Sequence, residues 1–212
     1  MPLNASVKKV LVIGSGPIII GQACEFDYSG TQSCKSLKEE GVEVVLINSN
    51  PATIMTDRDI ADKVYIEPIS AEYIRAIIEQ EKPDAILPIM GGQTALNMAL
   101  ELEARGILDQ YGVQLIGLST QTIEMAENRS LFKKALHEIG LKTPRSTYLR
   151  SYSELEDEAQ IKFPMIVRSS YTLGGEFGGI VCSMDDLKAL CADAFQCGKE
   201  LLLEESLIGW KE

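Results

Sequence analysis

The sequence predicts an α/β protein, a Rossmann-like parallel sheet followed by an incomplete α+β unit. Three observations carry that prediction. Short β-branched apolar runs without polar alternation recur through the first half, as strands covered on both faces must read. Helical patterns of about 10–15 residues separate them, and that alternation builds a right-handed parallel sheet. Near residue 120 the pattern changes to a longer helix and then to hairpin-like strands.

The strand runs are KKVLVIG (8–14), VEVVLIN (42–48), DAILPIM (84–90) and VQLIGL (113–118), with DKVYIE (62–67) as a shorter fifth. Ala95, Met98, Ala99 and Leu102 repeat at i, i+3, i+4 and i+7, which marks one buried helix face. From residue 120, TQTIEMAENRSLFKKALHEIGLK reads as one helix whose stripe is Phe132, Ala135, Leu136 and Ile139, stopped by Gly140. Thr143-Pro144-Arg145 follows, then a short acidic helix, YSELEDEAQ, for which Ser151 and Glu154 fit a capping box. FPMIVRSS and GGIVCSM flank a glycine loop as antiparallel strands, and Ser183 with Asp186 caps a further helix. ELLLEESLIGWKE closes the chain in a strand with no following partner. The expected division is 1–122 and 123–212, the second part being a truncated domain.

Charge and cysteine content exclude several classes. With 20 basic and 31 acidic residues the net charge is −11, so the average field repels nucleic acid and anionic membranes, and anion binding falls to local arginines or backbone N–H groups. No window approaches the roughly 18 apolar residues of a membrane span, and a cytoplasmic location is expected. The five cysteines are odd in number and lack C-x-x-C spacing, and the single histidine, His137, has no cysteine nearby, which argues against zinc. Cys191 falls on an apolar helix stripe with Leu187, Leu190 and Ala194 and reads as a buried small hydrophobe.

Three stretches carry chemistry. GSGPIIIG (14–21) lies between a strand and a helix, where backbone N–H groups favour anions. Two readings stand here, a dinucleotide site or glycines serving a tight strand-to-helix turn; against the first, Ile19 replaces the third glycine and Asn48-Ser49-Asn50 stands where an acid would hold the ribose. NSNPATIMTD and MGGQTALN gather polar residues at the carboxyl edge of the sheet, with Thr94 expected as an N-cap. The hairpin YTLGGEFGGIV (171–181) follows Arg168, which offers paired donors to a phosphate while Gly174 and Gly175 let main-chain N–H groups approach. Two readings of the hairpin stand side by side: a phosphate lid, or a surface turn with Arg168 solvated. Arg129, on the long helix, is a second cation, read either as a phosphate partner or as surface charge.

Taken together, IGSGPIIIGQACEFDYSGTQSCKSLKEEG, VLINSNPATIMTD, LPIMGGQTALNMALELE and EESLIGWKE closely resemble the amino-terminal end of the large subunit of carbamoyl phosphate synthetase. The resemblance implies a pre-ATP-grasp domain and the start of an ATP-grasp domain. It implies that Arg129 and Arg168 contact nucleotide phosphates, that Gly174 and Gly175 belong to the lid, that Glu205 and Leu207 line the adenine, and that Glu212 meets the ribose hydroxyls. ATP is then a substrate, and Mg2+ or Mn2+ a cofactor whose ligands lie beyond residue 212. Bicarbonate and ammonia are the other substrates, serving arginine and pyrimidine biosynthesis. The small glutaminase subunit and the remainder of the large subunit are the partners, and the isolated chain is expected to be inactive. The alternative is a noncatalytic fragment that docks the glutaminase or another large-subunit piece. Two places depart from the family: Arg168-Ser169-Ser170 replaces Arg-Pro-Ser, and Glu176-Phe177 stands where a small residue and glycine are usual.

Overall fold

A computed structural model describes residues 4, 6–17, 25–156, 162–169 and 177–211. The chain divides into two compact units, Met1–Glu124 and Met125–Glu212. In the first, β1 (Lys9–Ile13), β2 (Glu43–Ile47), β3 (Lys63–Tyr65), β4 (Ala85–Leu87) and β5 (Gln114–Leu115) form a sheet of order β3-β2-β1-β4-β5 with every pairing parallel. The helices are α1 (Glu25–Glu39), α2 (Ala71–Glu81), α3 (Gly92–Ala104) and α4 (Ile107–Tyr111).

Both faces of this sheet are dry, which is why its strands read as unbroken apolar runs. Leu11, Ile13, Val45, Ile47 and Ile86 meet Ile74 and Ile78 of α2, Leu102 of α3 and Ile107 of α4. Val10, Val12, Val44 and Leu46 point the other way, onto Cys34 of α1 and onto Met55. Ala95, Met98, Ala99 and Leu102 are all buried, as their spacing requires. Thr94 is not the cap of α3; Gly91 takes that place because the chain turns into the helix three residues earlier. A side chain at Gly91 would press into the carbonyl oxygens of Ile13 and Gly14, so only glycine fits against the end of β1.

The amino edge of the sheet holds a buried acid. Glu81, its side chain 1% exposed, accepts from Lys63 Nζ at 2.6 Å, Tyr65 Oη at 2.6 Å and Lys9 Nζ at 3.4 Å. The Lys63 ammonium and Tyr65 hydroxyl bonded to it hold its carboxyl well below the usual range, at about 2, against the opposing effect of burial.

The junction between units departs from the expected single helix. α5 (Thr120–Glu127) ends and α6 (Arg129–Glu138) begins anew, with Asn128 between them in extended conformation. The Asn128 side chain accepts from the N–H groups of Ser130 at 2.9 Å and Leu131 at 3.1 Å, so an internal N-cap replaces the continuous backbone ladder. Nor is the predicted stripe of α6 buried: Phe132 is 48% and Ile139 72% exposed. Gly140, at φ 78°, does stop the helix.

The second unit contains β6 (Ser146–Leu149), β7 (Met165–Ser169), β8 (Gly179–Val181), α7 (Met184–Gln196) and β9 (Leu201–Glu205), in an antiparallel sheet of order β6-β9-β7-β8. The last strand is therefore not left without a partner. It is interior, bonded to β6 and β7, and the short Ser-Thr-Tyr-Leu strand that flanks it was not expected. Leu187, Cys191 and Ala194 of α7 cover one sheet face, packing on Leu149, Met165, Val167, Val181, Leu201 and Leu203. Ser183 caps α7 by accepting from Asp186 N–H at 3.1 Å. The described part of the acidic segment forms a 3-10 turn, Tyr152–Glu156, instead of a capping box, and Glu154 reaches back to the N–H of Arg150 at 2.6 Å; residues 157–160 lie outside the described residues. No helix among the described residues is long and apolar enough to cross a membrane.

Candidate functional site

Strand parity decides what the sheet face away from α7 carries. In β7, Ile166 and Arg168 alternate against Met165, Val167 and Ser169; in β9, Leu202 and Glu204 alternate against Leu201, Leu203 and Glu205. Arg168 pairs across with Leu202 and Ile166 with Glu204, so Arg168 and Glu204 are diagonal neighbours on the face away from α7. Arg168 Nε lies 3.1 Å from Glu204 Oε2.

α6 runs along that face and is tied to it at two points. Arg129 Nε donates to the carbonyl of Ser169 at 3.0 Å, bridging 40 residues of sequence. Lys133, one turn on, donates from Nζ to Ser146 Oγ at 2.5 Å. Between helix and sheet is a hollow of about 450 Å³ to which Arg129, Lys133 and Arg168 bring positive charge and Glu127 and Glu204 negative. Phe132, Leu136 and Leu202 supply apolar wall, and Thr143-Pro144 closes one side. Three cations, two acids and an apolar wall suit a ligand that is anionic at one end and flat or apolar at the other.

Of the residues singled out from the sequence, Arg129 and Arg168 come together in this hollow. Glu205 does not line it, because the strand turns its side chain to the other face. There its carboxylate accepts from Arg145 N–H at 2.8 Å and Arg145 Nε at 2.9 Å, and these bonds, the backbone one foremost, keep its pKa below the usual carboxylate value. Leu207 follows β9, half-buried, with its carbonyl accepting from Trp210 N–H at 2.9 Å. Gly174, Gly175, Glu176 and Glu212 lie outside the described residues. Phe177 takes the left-handed conformation at φ 51° and packs against the α7 core.

Sequence reasoning did not assign Lys133, Leu202 or Glu204 to the site. The signal was present in Leu201-Leu202-Leu203-Glu204-Glu205, where period-2 alternation sends the two glutamates to opposite faces. At the carboxyl edge of the parallel sheet, Asn48 is buried and accepts from Gly16 N–H at 2.9 Å, while a side chain at Gly14 would come 2.7 Å from its Cγ. That asparagine clamps the turn after β1.

The models of two protein families match: the carbamoyl phosphate synthase preATP-grasp domain over residues 6–125 and the carbamoyl-phosphate synthase L chain, ATP binding domain, over residues 128–212. The chain belongs to the carbamoyl phosphate synthase large-chain family. The large chain of Pseudomonas putida is 53% identical over 100% of this chain and 20% of its own length. The N-terminal section of the large chain of Aquifex aeolicus is 52% identical over 100% of this chain and 39% of its own. This member of the family thus spans about one fifth of the length of the full large chain in P. putida. Among solved structures, the biotin carboxylase domain of Hydrogenobacter thermophilus 2-oxoglutarate carboxylase, in complex with MgADP, ADP and bicarbonate, is similar at TM-score 0.67 and 22% identity over 94% of this chain and 44% of that one. D-alanine–D-alanine ligase of Bacillus anthracis is similar at TM-score 0.57 and 18% identity, over 94% of this chain and 57% of that one. At such identities the likeness is one of fold alone.

Proposed function

We propose that the hollow between α6 and the antiparallel sheet holds the phosphates of ATP, in the unit of a carbamoyl phosphate synthase large chain that phosphorylates bicarbonate. The observation that carries this is the convergence of Arg129 of α6 and Arg168 of β7 on one hollow that Lys133 also lines. In the reaction a bicarbonate oxygen attacks the γ-phosphorus, ADP leaves with the bridging oxygen, and carboxyphosphate forms. Ammonia from a glutaminase partner then displaces phosphate to give carbamate, which a second ATP phosphorylates.

Phosphoryl transfer of this kind depends on positioning and charge balance. Arg129, its Nε bonded to the Ser169 carbonyl, and Arg168, set across β9, balance the phosphate charge and fix its direction. Phe132 and Leu202 keep water from part of the wall. No group of three or more His, Cys, Asp or Glu able to hold a metal occurs among the described residues, and Glu204, the carboxylate nearest Arg168, is paired with it. In this reading the metal ligands, the partners and the second phosphorylation belong to other parts of the large chain and its glutaminase. The setting is the cytoplasm.

The test is a titration of this chain with Mg-ATP followed by thermal shift. Half-saturation is expected near millimolar nucleotide, because much of the ligand stays wet on one side, and Arg129→Ala and Arg168→Ala should each raise it about tenfold. Saturation that neither substitution moves would overturn the reading. The exposed Leu131 and Phe132 of α6 and Ile139 at its C-cap favour a second reading, a docking fragment, which copurification of a complementing large-chain polypeptide would support.

A further inference from the structure

The hollow contains one feature that phosphate binding alone does not call for: a carboxylate beside one of its arginines. Glu204 is rooted in the middle of the sheet, on a strand bonded on both sides, and its side chain is only 18% exposed. Arg168 is near the end of β7, and its side chain is 49% exposed. The short, half-enclosed acid is the fixed partner of the pair, and the long, half-exposed guanidinium is the one that needs fixing. An unrestrained arginine loses rotamer freedom when a ligand immobilises it, so an arginine already held loses less.

We propose that Glu204 is a positioning residue for Arg168, holding its guanidinium in the hollow before the ligand arrives. This rests on the phosphate-site reading given above. Two effects of Glu204 oppose each other at a phosphate: repulsion of the incoming anion and preorganisation of the arginine. Geometry favours preorganisation. The 3.1 Å approach is to Nε, the nitrogen nearest the side-chain stem, and the diagonal register sets Glu204 two residues along β9 from Leu202, the residue directly opposite Arg168. The acid therefore grips the guanidinium from its base. The neighbouring strand position, Glu205, cannot substitute, since its carboxylate is on the other face and engaged by Arg145.

The inference is tested on this chain with inorganic tripolyphosphate as ligand and side-chain 1H–15N spectra of arginine Nε–H groups. In the native chain Arg168 should give a dispersed, slowly exchanging Nε–H signal, identified by its loss in Arg168→Ala. Glu204→Ala should move that signal to the position of a free arginine and raise the tripolyphosphate dissociation constant about tenfold, as the lost preorganisation requires. Glu204→Gln, which keeps an acceptor and drops the charge, should restore the signal and bind within about threefold of native. In an Arg168→Ala background, Glu204→Ala should change affinity by less than about twofold, because nothing remains to be positioned. Glu204→Met repeats the measurement with the apolar stem kept, should the alanine variant fold poorly. Unchanged or tighter tripolyphosphate binding in Glu204→Ala overturns the proposal, as does an Arg168 signal indifferent to residue 204. If instead Arg129→Ala and Arg168→Ala leave tripolyphosphate binding untouched, the phosphate-site reading fails, and the Arg168 signal still decides whether Glu204 holds the guanidinium.

Discussion

The two sheets of this chain solve opposite problems with the same apolar alphabet. The parallel sheet buries both faces, on Ile74, Ile78 and Leu102 to one side and Cys34 and Met55 to the other, and keeps its charge at an edge, on Glu81 and its lysines. The antiparallel sheet buries one face on α7 and carries charge across the other, on Arg168 and Glu204. A sheet covered twice has no face left for a ligand except at the ends of its strands, whereas a sheet covered once can present side chains broadside to a ligand. The difference teaches where to look: Glu81 and its lysines neutralise one another at the strand ends, whereas Arg168 and Glu204 line a hollow.

The sharpest way to break this contrast is within the second unit. Leu187→Ala on α7, fully buried, should destabilise that unit by about 3–4 kcal/mol, read from denaturant unfolding. A loss below about 1 kcal/mol would mean that the covered face is not a packed core. In the first unit, Glu81→Gln should cost about 2–3 kcal/mol near neutral pH, since a carboxyl whose folded pKa is about 2 stabilises the fold above its unfolded pKa of about 4.3. That stability should disappear as pH falls from about 4.5 to 2, and the Gln variant should show a correspondingly flatter acid limb in stability measured against pH. An acid limb identical in both proteins would show that Glu81 is not the group that titrates. The smallest effect is expected on α6: Phe132→Ala should shift stability by no more than about 0.5 kcal/mol, because the ring is half exposed. A loss as large as that at Leu187 would show α6 to be covered after all.

Most of the parallel sheet was legible because its signal is local and redundant. Each strand announces itself as an apolar run, and Ala95, Met98, Ala99 and Leu102 mark a buried face without help from elsewhere. The second unit was less legible for identifiable reasons. Asn128 breaks a continuous helical pattern by a side-chain hydrogen bond that competes with the helix, and propensity alone does not decide that contest. Phe132 and Ile139 have the spacing of a buried stripe, yet burial depends on whether anything covers them. β6 is four residues long with a mixed pattern, and without it the terminal strand looks unpartnered. Of the residues that line the candidate hollow, Arg129 and Arg168 were the ones the sequence singled out. Glu204 was missed because attention fell on the glutamate beside it, and the two are told apart only by the phase of the strand.

That phase also limits how the chain can change length. A slip of β9 by one residue against β7 and β6 would swing Glu204 under α7 and bring Glu205 onto the arginine side, burying a carboxylate in the Leu187–Cys191 core while releasing Arg145. Insertions or deletions that shift this strand are therefore tolerable only in pairs of residues, and a designer splicing the segment into another scaffold must preserve its odd-even count before its composition.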